Sequence, residues 1–166
     1  MCSSPVLRFD RLLAENGPAL ARLASSYTNT ASDRDDLLQE IALALWRALP
    51  AFREECSERT FLFRIAHNRA VAHLARNRSR GAQPVDEIEV HDPRPDPETG
   101  LVQQQQGERL ARAVRRLPVL YRQVVTLTLE GLEYSEIAEV LGISESNVGV
   151  RLNRARPMLR KLMEDL

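Results

Sequence analysis

The sequence predicts an all-α protein made of two small helical domains joined by a flexible acidic linker. Three observations carry that prediction. Apolar residues recur with helical spacing along most of the chain, and no run of strand-like alternation is convincing. The stretch 81–100, GAQPVDEIEVHDPRPDPETG, holds four prolines, two glycines and six acids. Such a stretch cannot bury enough apolar surface to fold alone. Third, the helical patterns fall on both sides of it, which places one domain at 1–82, the linker at 83–106 and a second domain at 107–166. Helices are expected near 6–27, 33–49, 60–78, 106–116, 119–130, 134–141 and 145–164, with the glutamine run 103–106 opening the fourth.

The second expected helix contains DDLLQEIALALWRAL, residues 35–49. At about 100° per residue, Leu37, Leu38, Ile41, Leu45 and Leu49 point inward. Asp36, Gln39, Glu40, Leu43 and Trp46 share the outward face. An exposed aromatic beside carboxylates suits a protein partner, because aromatics anchor interfaces and acids repel DNA. The alternative is that Trp46, the one tryptophan of the chain, tucks under a neighbouring helix.

The third helix begins apolar and aromatic with Phe61, Leu62, Phe63 and Ile65, and ends rich in arginine. Phe61 reads best as core. Residues 59–80 carry six arginines and no acid, 86–98 carry six acids and one arginine, and 151–161 carry five basic groups and no acid. A formal net charge of +0 therefore conceals segregated blocks that act locally, since screening sets in over about 10 Å. Only one of the 23 basic residues is lysine. Arginine suits bidentate contact with phosphate and guanine, although a GC-rich genome produces the same bias.

The segment YSEIAEVLGISESNVGVRLNRAR, 134–156, reads as a helix-turn-helix. Ile137, Ala138 and Leu141 form one face of a short helix. Gly142 supplies a left-handed turn, Ile143 plugs the corner and Ser144 caps the next helix, with Glu145 at its positive end. In that helix Val148, Leu152, Ala155 and Leu159 face inward. Ser146, Asn147, Val150, Asn153 and Arg154 face outward with Arg151 flanking, the layout of a helix that reads base edges and phosphates. The alternative is an ordinary helical hairpin with a solvated face.

The stretch DRDDLLQEIALALWRALPAFREECSERTFLFRIAHNRAVAHLARNRSR resembles the promoter-melting domain of bacterial sigma factors of the sigma-70 family. LARAVRRLPVLYRQVVTLTLEGLEYSEIAEVLGISESNVGVRLNRAR resembles their C-terminal DNA-binding domain. With only these two domains and an acidic linker, the chain resembles the extracytoplasmic-function (ECF) type. The resemblance implies a sigma-2-like helical bundle and a sigma-4-like helix-turn-helix. It implies that Asp36, Gln39, Glu40, Leu43 and Trp46 dock on the beta-prime clamp helices of core RNA polymerase, and that the beta flap is a second contact. Cys56, Ser57, Arg59, Arg64, His67, Asn68 and Arg76 become candidates for the minus-ten promoter element, the loop 53–59 holding one flipped base. Ser146, Asn147, Val150, Arg151, Asn153 and Arg154 become candidates for the minus-thirty-five element. An anti-sigma factor covering Leu43 and Trp46, and the 119–129 helix or the recognition helix, is a further implied partner.

Three positions depart from the family. Glu133 stands where a Ser or Thr cap is usual, Gly149-Val150 where Lys-Ser is common, and Pro157 is expected to kink or restart its helix. Other classes find less support. The chain has no phosphate loop, nucleophile motif or metal-spaced cluster, and His67 and His73 lack a third ligand nearby, so no enzyme and no cofactor is expected. Cys2 and Cys56 read as incidental thiols. No apolar run is long enough to insert in a membrane and the first residues lack a secretory pattern, so the expected compartment is the cytoplasm. A stand-alone helix-turn-helix regulator is the main alternative, and it leaves the acidic tryptophan-bearing helix without a purpose.

Overall fold

The computed structural model describes residues 4–81 and 100–166. Seven α-helices make up the described secondary structure together with one short 3₁₀ turn. In the first half, α1 (Pro5–Ser25), α2 (Ala31–Ala48) and α3 (Glu58–Ser79) pack as a three-helix bundle, with the 3₁₀ turn Leu49–Ala51 after α2. Each start has a local cause. Pro5 opens α1, where its missing amide costs nothing. Thr30 caps α2 by accepting the Asp33 amide at 3.0 Å, and Ser57 caps α3 by accepting the Thr60 amide at 3.0 Å. The bundle buries Leu12, Leu20 and Leu23 from α1, Leu37, Ile41 and Leu45 from α2, and Leu62, Phe63, Ala66 and Ala70 from α3.

The second half contains α4 (Gly100–Arg116), α5 (Val119–Leu129), α6 (Tyr134–Leu141) and α7 (Glu145–Glu164). Helix α4 starts at Gly100, so the glutamine run 103–106 is helical as expected, and residues 100–102, expected in the linker, are helical too. Within the run Gln104 donates to Glu108 one turn on, at 3.3 Å. The remaining linker residues, 83–99, and Cys2 lie outside the described residues.

Between α6 and α7 the chain turns at Gly142, whose φ of 66° is left-handed, and the Ile143 amide reaches back to the Ala138 carbonyl at 3.1 Å. Ser144 then caps α7 by accepting the Asn147 amide at 3.1 Å. The unusual Glu133 before α6 works with Glu136, whose carboxylate accepts the Glu133 amide at 2.8 Å. Helix α7 is continuous through Pro157, contrary to expectation. Val148, Leu152 and Ala155 before the proline, and Leu159 and Leu162 after it, all pack on the core. That packing outweighs one missing backbone bond.

The halves are not independent. Helix α3 lies across α6, and buried apolar residues from both halves form one connected cluster. The two domains expected on either side of the linker thus pack directly on each other.

Gly149 sits inside α7, and a methyl group there would meet only the Tyr134 ring, at 3.6 Å. Gly149→Ala should therefore raise stability by about 0.5–1 kcal/mol, measured by urea unfolding. An unchanged or lower midpoint would show that the space is tighter than this.

Candidate functional site

On α2 the inward face is buried as expected at Leu37, Ile41, Leu45 and Leu49, while Leu38 is only half-buried. Asp36, Gln39, Leu43 and Trp46 are exposed, Leu43 at 50% and Trp46 at 42%. Trp46 does not tuck under a helix. It rests edge-on against Phe9 of α1, 5.2 Å between centroids, with much of the ring open to solvent. Glu40 differs from its neighbours. It is half-buried, and the Arg76 guanidinium holds both its oxygens, at 2.8 and 2.6 Å. Partial burial pushes the Glu40 carboxyl up, but Arg76 and His73 more than offset this and leave it below its ordinary value. Two candidates assigned to different partners, Glu40 and Arg76, are thus bonded to each other.

The candidate residues for the minus-ten element divide. Cys56 is a half-buried free thiol. Ser57 is committed to capping α3, and its hydroxyl also bonds that of Thr60 at 2.9 Å. Glu58 is held by Arg8 at 2.6 Å and Arg11 at 2.7 Å, which ties the loop to α1. Arg64 is half-buried, and Asn68 and Arg76 are exposed. Phe61 packs against Phe52 at 4.4 Å, as a core residue does. The structure departs from the sequence reading at His67, which is 3% exposed and so is not presented to a DNA strand. Its ring meets the edge of Tyr27 at 6.0 Å, and its Nδ1 has no hydrogen-bond partner.

Four residues not singled out from the sequence close the two halves together. Glu130, at the C-terminal end of α5, accepts a two-pronged bond from Arg22 of α1, at 2.9 Å from Nε and 2.8 Å from Nη2. Its side chain is only 5% exposed. The carbonyl of Glu130 accepts from Arg59 of α3, another minus-ten candidate, whose guanidinium also lies over Phe63 at 5.5 Å. Nearby, Arg122 of α5 is buried. It donates to the carbonyls of Arg115, Leu117 and Ser26, and sits 5.6 Å over the Tyr27 ring. Burial lowers the Arg122 pKa, and it raises that of Tyr27, whose hydroxyl faces Thr126. Arg115 adds a bond to the Ser25 carbonyl at 3.1 Å. Beside this seam, Asn68, Val71 and Ala75 of α3 face Gln123, Val140 and Leu141 across a cleft of about 310 Å³.

On α7 the sequence reading of the faces holds. Val148, Leu152 and Ala155 are buried, and Ser146, Asn147, Val150, Asn153 and Arg154 are exposed. Arg151 is half-buried and bonds Asn147 one turn back at 3.2 Å. One face of α7 thus combines short hydrogen-bonding groups with guanidinium groups that can reach base edges and phosphates. Among the described residues, no group of three or more His, Cys, Asp or Glu is placed to hold a metal ion, and no helix is long and apolar enough to cross a membrane.

Removing Arg22 leaves a carboxylate that is nearly buried and unpaired, a cost of about 1–3 kcal/mol. Arg22→Ala should open the closed form, seen as a larger radius of gyration in solution scattering. An unchanged radius would show that the pair does not hold the halves. His67 is pushed down to about 4 by burial. A His with a depressed folded pKa stabilises above its unfolded value near 6.5 and loses that contribution as pH falls toward 4. Between pH 7 and 5 this single group should cost about 2 kcal/mol. Urea unfolding at both pH values should show that loss in the parent protein and a smaller one in His67→Gln; equal losses would rule out His67 as the cause.

Comparison with known proteins agrees with this geometry. The family model for sigma-70 region 2 matches residues 12–80, and that for sigma-70 region 4 matches residues 107–159. The chain is 32% identical over 162 residues to the RNA polymerase sigma factor NccH of Alcaligenes xylosoxydans xylosoxydans, covering 94% of this chain and 87% of the relative. It is 30% identical over 168 residues to the ECF RNA polymerase sigma-E factor of Escherichia coli K12, covering 95% and 87%. Among solved structures it is similar to CnrH in complex with the cytosolic domain of CnrY, with a TM-score of 0.70, 28% identity and coverage of 95% of this chain and 88% of that one. The sigma factor RpoE of Bartonella quintana, in complex with the anti-sigma factor NepR, shares the fold at a TM-score of 0.70 and 22% identity, over 95% of this chain and 97% of that one. A stand-alone regulator would leave the match over 12–80 unaccounted for. The chain belongs to the sigma-70 family, in its ECF class, and is a sigma factor that directs promoter recognition and transcription initiation.

Proposed function

We propose that this sigma factor docks on the beta-prime clamp helices of core RNA polymerase through Asp36, Gln39, Glu40, Leu43 and Trp46. The exposed, half-open tryptophan beside carboxylates on α2 carries this reading, because a ring left in water at that cost suits an interface anchor. The second half meets the beta flap and places Ser146, Asn147, Val150, Arg151, Asn153 and Arg154 on the minus-thirty-five element. Asn68, Arg64, Arg59 and Arg76 of α3, with the loop around Cys56, serve the minus-ten element. The factor has no catalytic role of its own.

The closed arrangement suits the inhibited form. Promoter elements some 25 base pairs apart span about 85 Å of duplex at 3.4 Å per step. Two halves in direct contact cannot hold both ends of such a span, so the seam must open for promoter binding. CnrH is similar to this chain over both halves and was solved with the cytosolic domain of CnrY. That likeness supports an anti-sigma factor that holds the halves closed and covers Leu43 and Trp46.

Trp46→Ala and Asp36→Arg should each weaken binding to core polymerase by about tenfold or more, read by competition against a labelled sigma factor. Equal affinity in both variants, with folding unchanged, would remove α2 as the docking face. Arg154→Ala should weaken use of a duplex promoter and reduce the salt dependence of binding by about one unit of slope, while a pre-melted promoter is used nearly as before. Equal loss on both templates would refute the assignment of α7.

A further inference from the structure

Helices α2 and α3 are joined by a chain of polar contacts that runs along the docking face. His73 of α3 is 7% exposed at its side chain and stands between two carboxylates of α2. Its Nε2 lies 2.6 Å from Asp33 and its Nδ1 3.4 Å from Glu40. Asn77, one turn further on, donates to both oxygens of Asp33, at 3.2 and 3.1 Å. Arg76 takes both oxygens of Glu40. Asp33, His73 and Asn77 form the more enclosed end of this network. The Glu40–Arg76 pair is its open end, with the two side chains 35% and 45% exposed.

The open end has two properties that matter together. Both Glu40 oxygens are already occupied by a guanidinium, so a basic group of a protein partner must share or displace it. Conversely, a phosphate that draws Arg76 away leaves Glu40 free. A pair this exposed contributes little to stability, so either exchange is energetically accessible. Its neighbours Asp36 and Gln39 have no such intramolecular claim among the contacts described, which makes Glu40 different from the rest of its face.

We propose that Glu40 and Arg76 form an exchangeable ion pair that couples the two surfaces: docking of polymerase on Glu40 releases Arg76 for the promoter strand. This rests on the reading of α2 as the polymerase-docking face and extends it to a positioning role. Coupling of this kind is reciprocal, so a bound strand that engages Arg76 raises affinity for polymerase by the same factor.

The consequence is a sign that a merely structural role would not produce. If Arg76 competes with polymerase for Glu40, removing its charge should tighten docking. Core polymerase affinity is measured by competition for the full chain, Arg76→Gln, Arg76→Lys, Glu40→Gln and the double variant Glu40→Gln/Arg76→Gln. Arg76→Gln should bind core polymerase about two- to fivefold more tightly than the parent, the range open to a surface pair. Arg76→Lys, which keeps the charge, should stay near the parent. In the Glu40→Gln background the same Arg76→Gln change should have no effect. Equal or weaker binding by Arg76→Gln, or the same gain in both backgrounds, overturns the proposal while leaving the docking face intact. Failure of the parent chain to bind core polymerase would instead remove the reading beneath it. A gain in affinity cannot come from misfolding, so a partly unfolded variant does not mimic the expected result.

Discussion

The closed form depends on one nearly buried carboxylate. Glu130 lies at the C-terminal end of α5, where the helix dipole disfavours negative charge. It is held there because Arg22, 108 residues away in sequence, wraps both its oxygens. The Arg22 side chain remains largely in water while Glu130 does not. The cost of desolvation therefore falls mainly on the acid, and the guanidinium offsets it with two charged hydrogen bonds. Arg59 then takes the carbonyl of the same residue, so that α1 and α3 are both fastened to one helix end. Arg122 does the reverse across the same seam, carrying a buried cation to the Ser26 carbonyl and the face of Tyr27 in the first half, with its Nε left without a hydrogen-bond partner. Together these contacts fix where α3 lies on α6, and hence what α3 can present.

The helices and the helix-turn-helix were legible because their causes are local. A cap, a glycine and an apolar stripe all act within a few residues, and Gly142 and Ser144 do what their positions imply. Pro157 misled because its cost is local while the packing that overrides it is not. Leu159 and Leu162 keep the end of α7 on the core whatever the backbone loses. The start of α4 was placed a few residues late, at the glutamine run, because the three residues before it are too few to show a helical period.

The outward face of α2 was legible for the same reason as the helices: exposure on a bundle follows from angle. What angle cannot give is a partner. An arginine in a basic run looks alike whether it meets phosphate, a carboxylate or a carbonyl. Arg59 meets the Glu130 carbonyl and Arg76 meets Glu40. His67 was placed among exposed readers because nothing near it in sequence says that Tyr27 will cover it. One signal of the seam was present: an acid next to Gly131 at a helix end, where a cation is favoured, implies a holder elsewhere.

These contacts give α3 a particular state before any partner arrives. Along its length, Ser57 caps the helix, Arg59 holds the second half, His67 is covered, and Arg76 is bound to Glu40 of α2. Any ligand approaching α3 must therefore displace protein groups as well as water. The two kinds of contact differ in how hard they are to displace. The Arg22–Glu130 bond is shielded on the acid side and is little screened by salt. The Glu40–Arg76 pair is open on both sides and exchanges readily. Opening the seam is thus the larger barrier, and it responds to whatever grips the two halves. The ion pair between α2 and α3 is the finer adjustment, since both of its side chains already lie open to solvent.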